Sequence, residues 1–203
     1  MNLLEIIQAV AKNVGVDVPD TAASNTGKEY VNLVQFAAEA AEEIARRADW
    51  AALRTAATIT GTGSDDDFAL PAAFDRLTMG GAVTASGDFV RGGLTSDEWN
   101  ALAGVQGTPR YFRINGRDSI NFYPYPAAAA TVSVSYQSKN WCSNGTEAWS
   151  SDSDEPMVPA DLVVKGTIWR WKRKMGQDFS DYLAEFEAAL VDRSNFDMRE
   201  RTP

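Results

Sequence analysis

The stretch GTIWRWKRKMGQDFSDYLAEFEAAL, Gly166–Leu190, decides how this chain folds. Between Trp169 and Lys174 it sets two tryptophans among four cations, in a protein of formal net charge −9. On a helix turning by about 100° per residue, Val164, Ile168, Trp171 and Met175 share one face and Leu162, Gly166 and Trp169 the opposite one. Lys165 with Lys172, and Arg170 with Lys174, fill the two flanks. The pattern predicts a helix from Asp161 to Met175, stopped by Gly176. Asp178 caps a second helix to about residue 193, with Phe179, Tyr182, Leu183, Phe186 and Leu190 on its apolar face. A helix apolar on two opposed sides sits between two partners. Two readings stand: both sides are covered within the chain, or one is covered by a neighbouring subunit. Trp and Arg are enriched at interface hot spots, so Trp169, Arg170, Trp171 and Lys174 are candidate partner contacts. Stacking of nucleic-acid bases is disfavoured, because alternate tryptophans on a helix point to different sides and make no platform.

Working outward, Leu3, Leu4, Ile6, Ile7, Val10, Ala11 and Val14 recur at helical spacing ahead of Gly15, which predicts a first helix over 2–14. Thr26 and Glu29 fit a capping box and open a second helix over 27–48. Its inward face is read as Tyr30, Val34, Ala37, Ala38, Ala41, Ala45 and Ala48. From Leu53 the period changes to two. Leu53–Pro71 reads as a hairpin turning at Gly61, Gly63, Ser64 and Asp65–Asp67, and Arg110–Pro126 as a second hairpin turning at Asn115-Gly116. Thr95 or Ser96 caps a short helix before Gly104. Val132, Val134 and Tyr136 alternate with serines, one side buried and one wet. The expected fold class is α+β: a helical bundle from residues 1–52 and 158–203, ending in a C-terminal arm, with an antiparallel β-domain and a short helix inserted over 53–157.

Composition narrows function. The chain has 203 residues and no histidine, which excludes Ser-His-Asp and Cys-His catalytic units and the histidine-bearing zinc sites. A lone cysteine, Cys142, excludes an internal disulfide and a multi-cysteine metal site. Asp65–Asp67 and the Asp152, Asp154, Glu155 group are the densest carboxylate clusters, yet neither has the spacing of a calcium loop, and both read as solvated turns. No apolar run is long enough to span a bilayer, and Glu5 and Gln8 interrupt the first segment as they would in an amphipathic helix and not in a signal peptide. The excess of 28 acidic over 19 basic residues opposes a general grip on nucleic acid. No enzyme activity, cofactor, metal or membrane is expected. A hydrolase using an Asp/Glu pair, and a carbohydrate- or receptor-binding module built on Trp99, Tyr123 and Tyr125, are the rival classes.

In order along the chain, Leu3–Val16, Arg46–Gly61, Phe68–Leu77, Leu94–Trp99, Gly107–Pro126, Val134–Trp141 and above all Asp152–Tyr182 resemble the head-to-tail adaptor (connector, or tail accessory factor) proteins of tailed bacteriophages. Trp169, Trp171, Lys172 and Gly176 carry the most specific part of the likeness; Phe179 stands where that pattern has tyrosine. The resemblance implies a virion structural protein without catalysis, located at the head-tail junction after assembly in the host cytoplasm. It implies a homo-oligomer, a dodecameric ring, that docks on the portal protein, meets a downstream tail or nozzle protein, and extends a channel through which DNA passes without specific binding. The segment NFDMRERTP, Asn195–Pro203, then has two readings: a frayed terminus, or an arm carrying Phe196, Met198, Arg199 and Arg201 that orders on the portal.

Overall fold

A computed structural model describes residues 1–79, 82–102, 104–116 and 118–199. The helices are α1 (Leu3–Val14), α2 (Lys28–Arg47), α3 (Ser96–Asn100), α4 (Ala160–Lys174) and α5 (Ser180–Arg199), with a 3-10 turn at Ala51–Leu53. The strands are β1 (Arg54–Thr60), β2 (Asp67–Ala69), β3 (Phe74–Leu77), β4 (Val83–Ala85) and β5 (Asp88–Phe89). After α3 come β6 (Gln106–Gly107), β7 (Tyr111–Asn115), β8 (Ser119–Tyr123), β9 (Tyr125–Pro126) and β10 (Thr131–Ser138). Helices at both ends and antiparallel sheets in the middle make this the α+β fold expected from the sequence. The chain divides into two units, one running to Leu53 and resuming at Lys139, the other spanning Arg54–Ser138.

In the helical unit, α1 begins with a reciprocal cap. The Glu5 amide donates to Asn2 Oδ1 at 2.9 Å and the Asn2 amide donates to the Glu5 carboxylate at 3.0 Å, a device worth about 1 kcal/mol. Gly15 stops the helix at φ 75°, a left-handed conformation that glycine adopts without steric cost. The reading of α2 needs two corrections. Its N-cap is Gly27, with no side-chain cap, because Asn25 takes the turn first: its side chain accepts from the Gly27 amide at 2.9 Å. Its inward face is Leu33, Ala37, Ala40, Ala41, Ile44 and Ala45, rotated from the alanine stripe read from sequence, because the larger Leu33 and Ile44 take the core positions and leave Val34 and Ala38 half-buried. The chain leaves α2 through Trp50, whose indole N–H donates to the Ile44 carbonyl at 2.6 Å.

The segment after β10, placed with the β-region by the sequence reading, goes with the helices. Trp141 and Cys142 are fully buried in the helical core, and Trp149 packs edge-on against Trp141 with ring centres 4.7 Å apart. This loop also receives the start of α1: the Leu3 amide donates to the Asp154 carbonyl at 2.8 Å and the Leu4 amide to the Asp152 carbonyl at 3.2 Å. Two of the N–H groups that a helix start leaves unpaired are thereby satisfied.

The β unit contains a sheet in the order β1-β10-β4-β5, with β3 also on β10, a three-stranded sheet β2-β8-β7, and the short parallel pair β6-β9. Its core is built on Ile59, Val83, Ile120, Phe122, Val132 and Val134. The hairpin expected over Leu53–Pro71 does not form. β1 pairs with β10, from Arg54↔Gln137 to Thr60↔Thr131, while β2 pairs with β8. The reason lies at Gly61, whose amide donates to Ala130 O at 2.7 Å and whose carbonyl accepts from Ala129 N at 3.0 Å. A Cβ there would come within 2.3 Å of Ala127 O, so Gly61 is docked against the segment leading into β10 and the chain passes on to the second sheet. The second hairpin forms as read, Tyr111↔Tyr123 through Asn115↔Ser119, with Gly116 at φ 66° opening the turn. In β10, Val132, Val134 and Tyr136 are buried as the alternation predicts, and Gln137 is buried with them.

Candidate partner interface

Helix α4 packs against α1, α2 and α5. Gly166 makes this possible, since a Cβ there would meet the Ala40 Cβ at 2.8 Å and the Phe186 ring at 3.2 Å. One turn later Arg170 is only 6% exposed. Its Nη1 donates to the Gly166 carbonyl at 2.8 Å, its Nη2 pairs with the Glu43 carboxylate of α2, and Glu39 lies 3.8 Å from Nε. A buried cation is tolerated only when its donors are answered in this way. Glu43 also pairs with Arg47, which pairs with Glu187, so one charged chain ties α4 to α2 and α2 to α5.

The remaining cations of α4 are mostly committed as well. Lys165 pairs with Glu185, Lys172 stands 4.5 Å over the Tyr182 ring, and Arg173 lies 5.0 Å over the Trp169 ring. Arg193 of α5 pairs with Asp161 at 3.1 Å. Trp169 is 8% and Trp171 4% exposed, and both belong to the core of the helical unit. Trp169 meets the rings of Phe179 and Phe186 at 6.3 and 6.5 Å. Thus Trp169, Arg170 and Trp171 are placed inside the unit, whereas Lys174 at the end of α4 is exposed.

Helix α5 continues to Arg199 instead of stopping near residue 193. No glycine or proline interrupts Gln177–Thr202, and Asp197 Oδ2 accepts from the Ala51 amide at 2.9 Å, which seats the last turn. Residues 195–199 therefore continue α5 as helix. Phe196 is exposed on this helix; the side chains of Met198 and Arg199, and all of Arg201, lie outside the described residues.

A model of the SU10 adaptor protein family matches residues 1–203. The chain belongs to this family, a family of phage head-tail adaptors. The resemblance read from the sequence is thereby borne out. No curated protein matches the chain.

Helix α5 also has an outward side, opposite the buried Phe186 and Leu190. Ala184, Ala188, Val191 and Asn195 are all exposed and follow one another at steps of four, three and four. That spacing lays them along a single helix face made mostly of small side chains. The sequence reading attended to the inward face and missed this stripe, although its spacing was there to be read. Acidic side chains hold backbone in the helical unit: Asp152 Oδ1 accepts from the amides of Ala22 and Ala23 at 2.9 and 2.6 Å. Asp154 accepts from the Ser150 and Ser151 amides and from Asn144, and the Ser150 amide is the main cause holding its carboxyl below the usual range. These two carboxylates are loop organisers, not solvated turns. Among the described residues no group of three or more Cys, Asp or Glu side chains could hold a metal ion, and no helix is long and apolar enough to cross a membrane. Burial pushes the Cys142 thiol up, away from reactivity.

Proposed function

We propose that this chain is a virion structural protein that assembles as a ring under the portal, joins capsid to tail, and lengthens the channel through which DNA leaves. The family match over the whole chain carries this reading. The exposed stripe Ala184, Ala188, Val191, Asn195 on α5 supports it, since small side chains let a helix from a neighbouring subunit approach closely. The candidate portal contacts are Lys174 at the end of α4 and, at the opposite end of α5, Phe196, followed in sequence by Met198, Arg199 and Arg201. Trp169, Arg170 and Trp171 act indirectly, by fixing α4 within the helical unit. A net charge of −9 fits a lumen past which DNA slides without adhering. Catalysis has no part in this reading.

The test is to mix the protein with its portal and image the product by negative stain. Closed rings on the portal are the expected result. A persistent monomer without affinity for the portal would overturn the reading, whereas a monomer in the absence of portal is compatible with assembly on the partner.

A further inference from the structure

The β unit contains a cavity of about 290 Å³ lined by Ser64 and Asp66 from the β1-β2 connection, Trp99 and Leu102 from α3 and the turn after it, and Tyr123 and Tyr125 from β8 and β9. Trp99 thus converges on one hollow with Phe122, Tyr123 and Tyr125, which lie more than twenty residues further along the chain. The wall is anchored through backbone: the Phe122 amide donates to Asp66 O at 2.8 Å and the Tyr125 amide to Val105 O at 3.0 Å. Thr95 and Glu98 cap α3 reciprocally and hold Trp99 in place.

The charge of this hollow selects its ligand. Its described lining includes one acidic residue, Asp66, and no cationic one, Asp65 and Asp67 flank Asp66 in sequence, and aromatic faces are themselves negative. With the Arg113 guanidinium already over the Trp99 ring, 4.9 Å from its centroid, it is the side formed by Asp66, Tyr123 and Tyr125 that favours a cation over an anion. A guanidinium suits the space better than an ammonium, because it is planar, weakly hydrated and able to stack on rings while its N–H groups reach a carboxylate.

We propose that this cavity receives the guanidinium of an arginine side chain presented by a partner protein. The proposal does not depend on the adaptor reading. It is tested on the full chain by following the Trp99 indole N–H in NMR spectra, assigned through Trp99→Phe, during titration with acetylarginine amide. The neutral isostere acetylcitrulline amide and methyl glucoside serve as comparisons. Saturable shifts with the arginine compound, about fivefold weaker binding of the citrulline compound, and about threefold loss in Asp66→Asn are expected. Asp66 is exposed, so that variant keeps its fold. No saturable shift, equal binding of the citrulline compound, an unchanged Asp66→Asn, or tighter binding of the glucoside would each overturn it.

Discussion

Arg170 of α4, itself buried, forms an ion pair with the half-buried Glu43 of α2, 127 residues away along the chain. Arg170→Ala removes a buried side chain but leaves Glu43 partly solvated and paired with Arg47, so a cost of about 2 kcal/mol in urea unfolding is expected. Glu43→Gln should cost less, because Glu39 remains beside the guanidinium. The double variant should fall short of the sum of the two, and strict additivity would show that the pair is not coupled.

Gly166→Ala reverses the usual sign. In an exposed helix the change stabilises by about 1 kcal/mol, but here the new methyl group meets Ala40 and Phe186. A net loss of about 1–3 kcal/mol is expected. Ala40→Gly in the same chain should restore part of it, as thermal melting would report.

Trp169→Ala and Trp171→Ala should each destabilise the isolated protein by about 3–5 kcal/mol. Both indoles are buried within the helical unit. A variant at either position that melts like the native chain would show that its ring does not occupy the core.

Ala188→Arg separates assembly from folding. The residue is exposed on the outer side of α5, and surface substitutions of this kind change stability by no more than about 0.5 kcal/mol. Loss of ring formation with an unchanged melting temperature is expected. Rings of normal yield would remove α5 from the subunit contact.

Acid should loosen the loop that seats α1. The Asp154 carboxyl has its affinity for protons lowered in the folded state, chiefly by the Ser150 amide. Its contribution is therefore complete above the ordinary carboxylate value of about 4 and is lost as pH falls through the lower folded value. Asp154→Asn should flatten the acid limb of the stability profile, measured by denaturant midpoints between about pH 2 and 6.

The helices were legible because their signals are local. Gly15 and Gly176 end α1 and α4 where they were read, and Asp178 turns the chain into α5 with its side chain accepting from the Ser180 amide at 3.0 Å. Strand pairing was legible only where the partner lay close by, as in Tyr111–Tyr123. The partner of β1 is β10, more than 70 residues away, and nothing local in Leu53–Pro71 distinguishes a strand awaiting that partner from half of a hairpin. The interface reading met a similar limit. Trp169, Arg170 and Trp171 look alike as hot-spot types and as core types, and only the placement of Glu43, Phe179 and Phe186 decides between them. Asp154 looked solvated because its partners, backbone amides, leave no mark in the sequence.

Because α2 is synthesised more than a hundred residues before α4, the two cannot meet as the chain emerges from the ribosome. At about 5–20 residues per second, α1 and α2 wait on the order of ten seconds for the helix that covers them. All strands of the β unit are complete by Ser138, so this unit can close while the ribosome is still at work. The alanine-rich inward side of α2, with few large apolar groups to expose, is well suited to that delay.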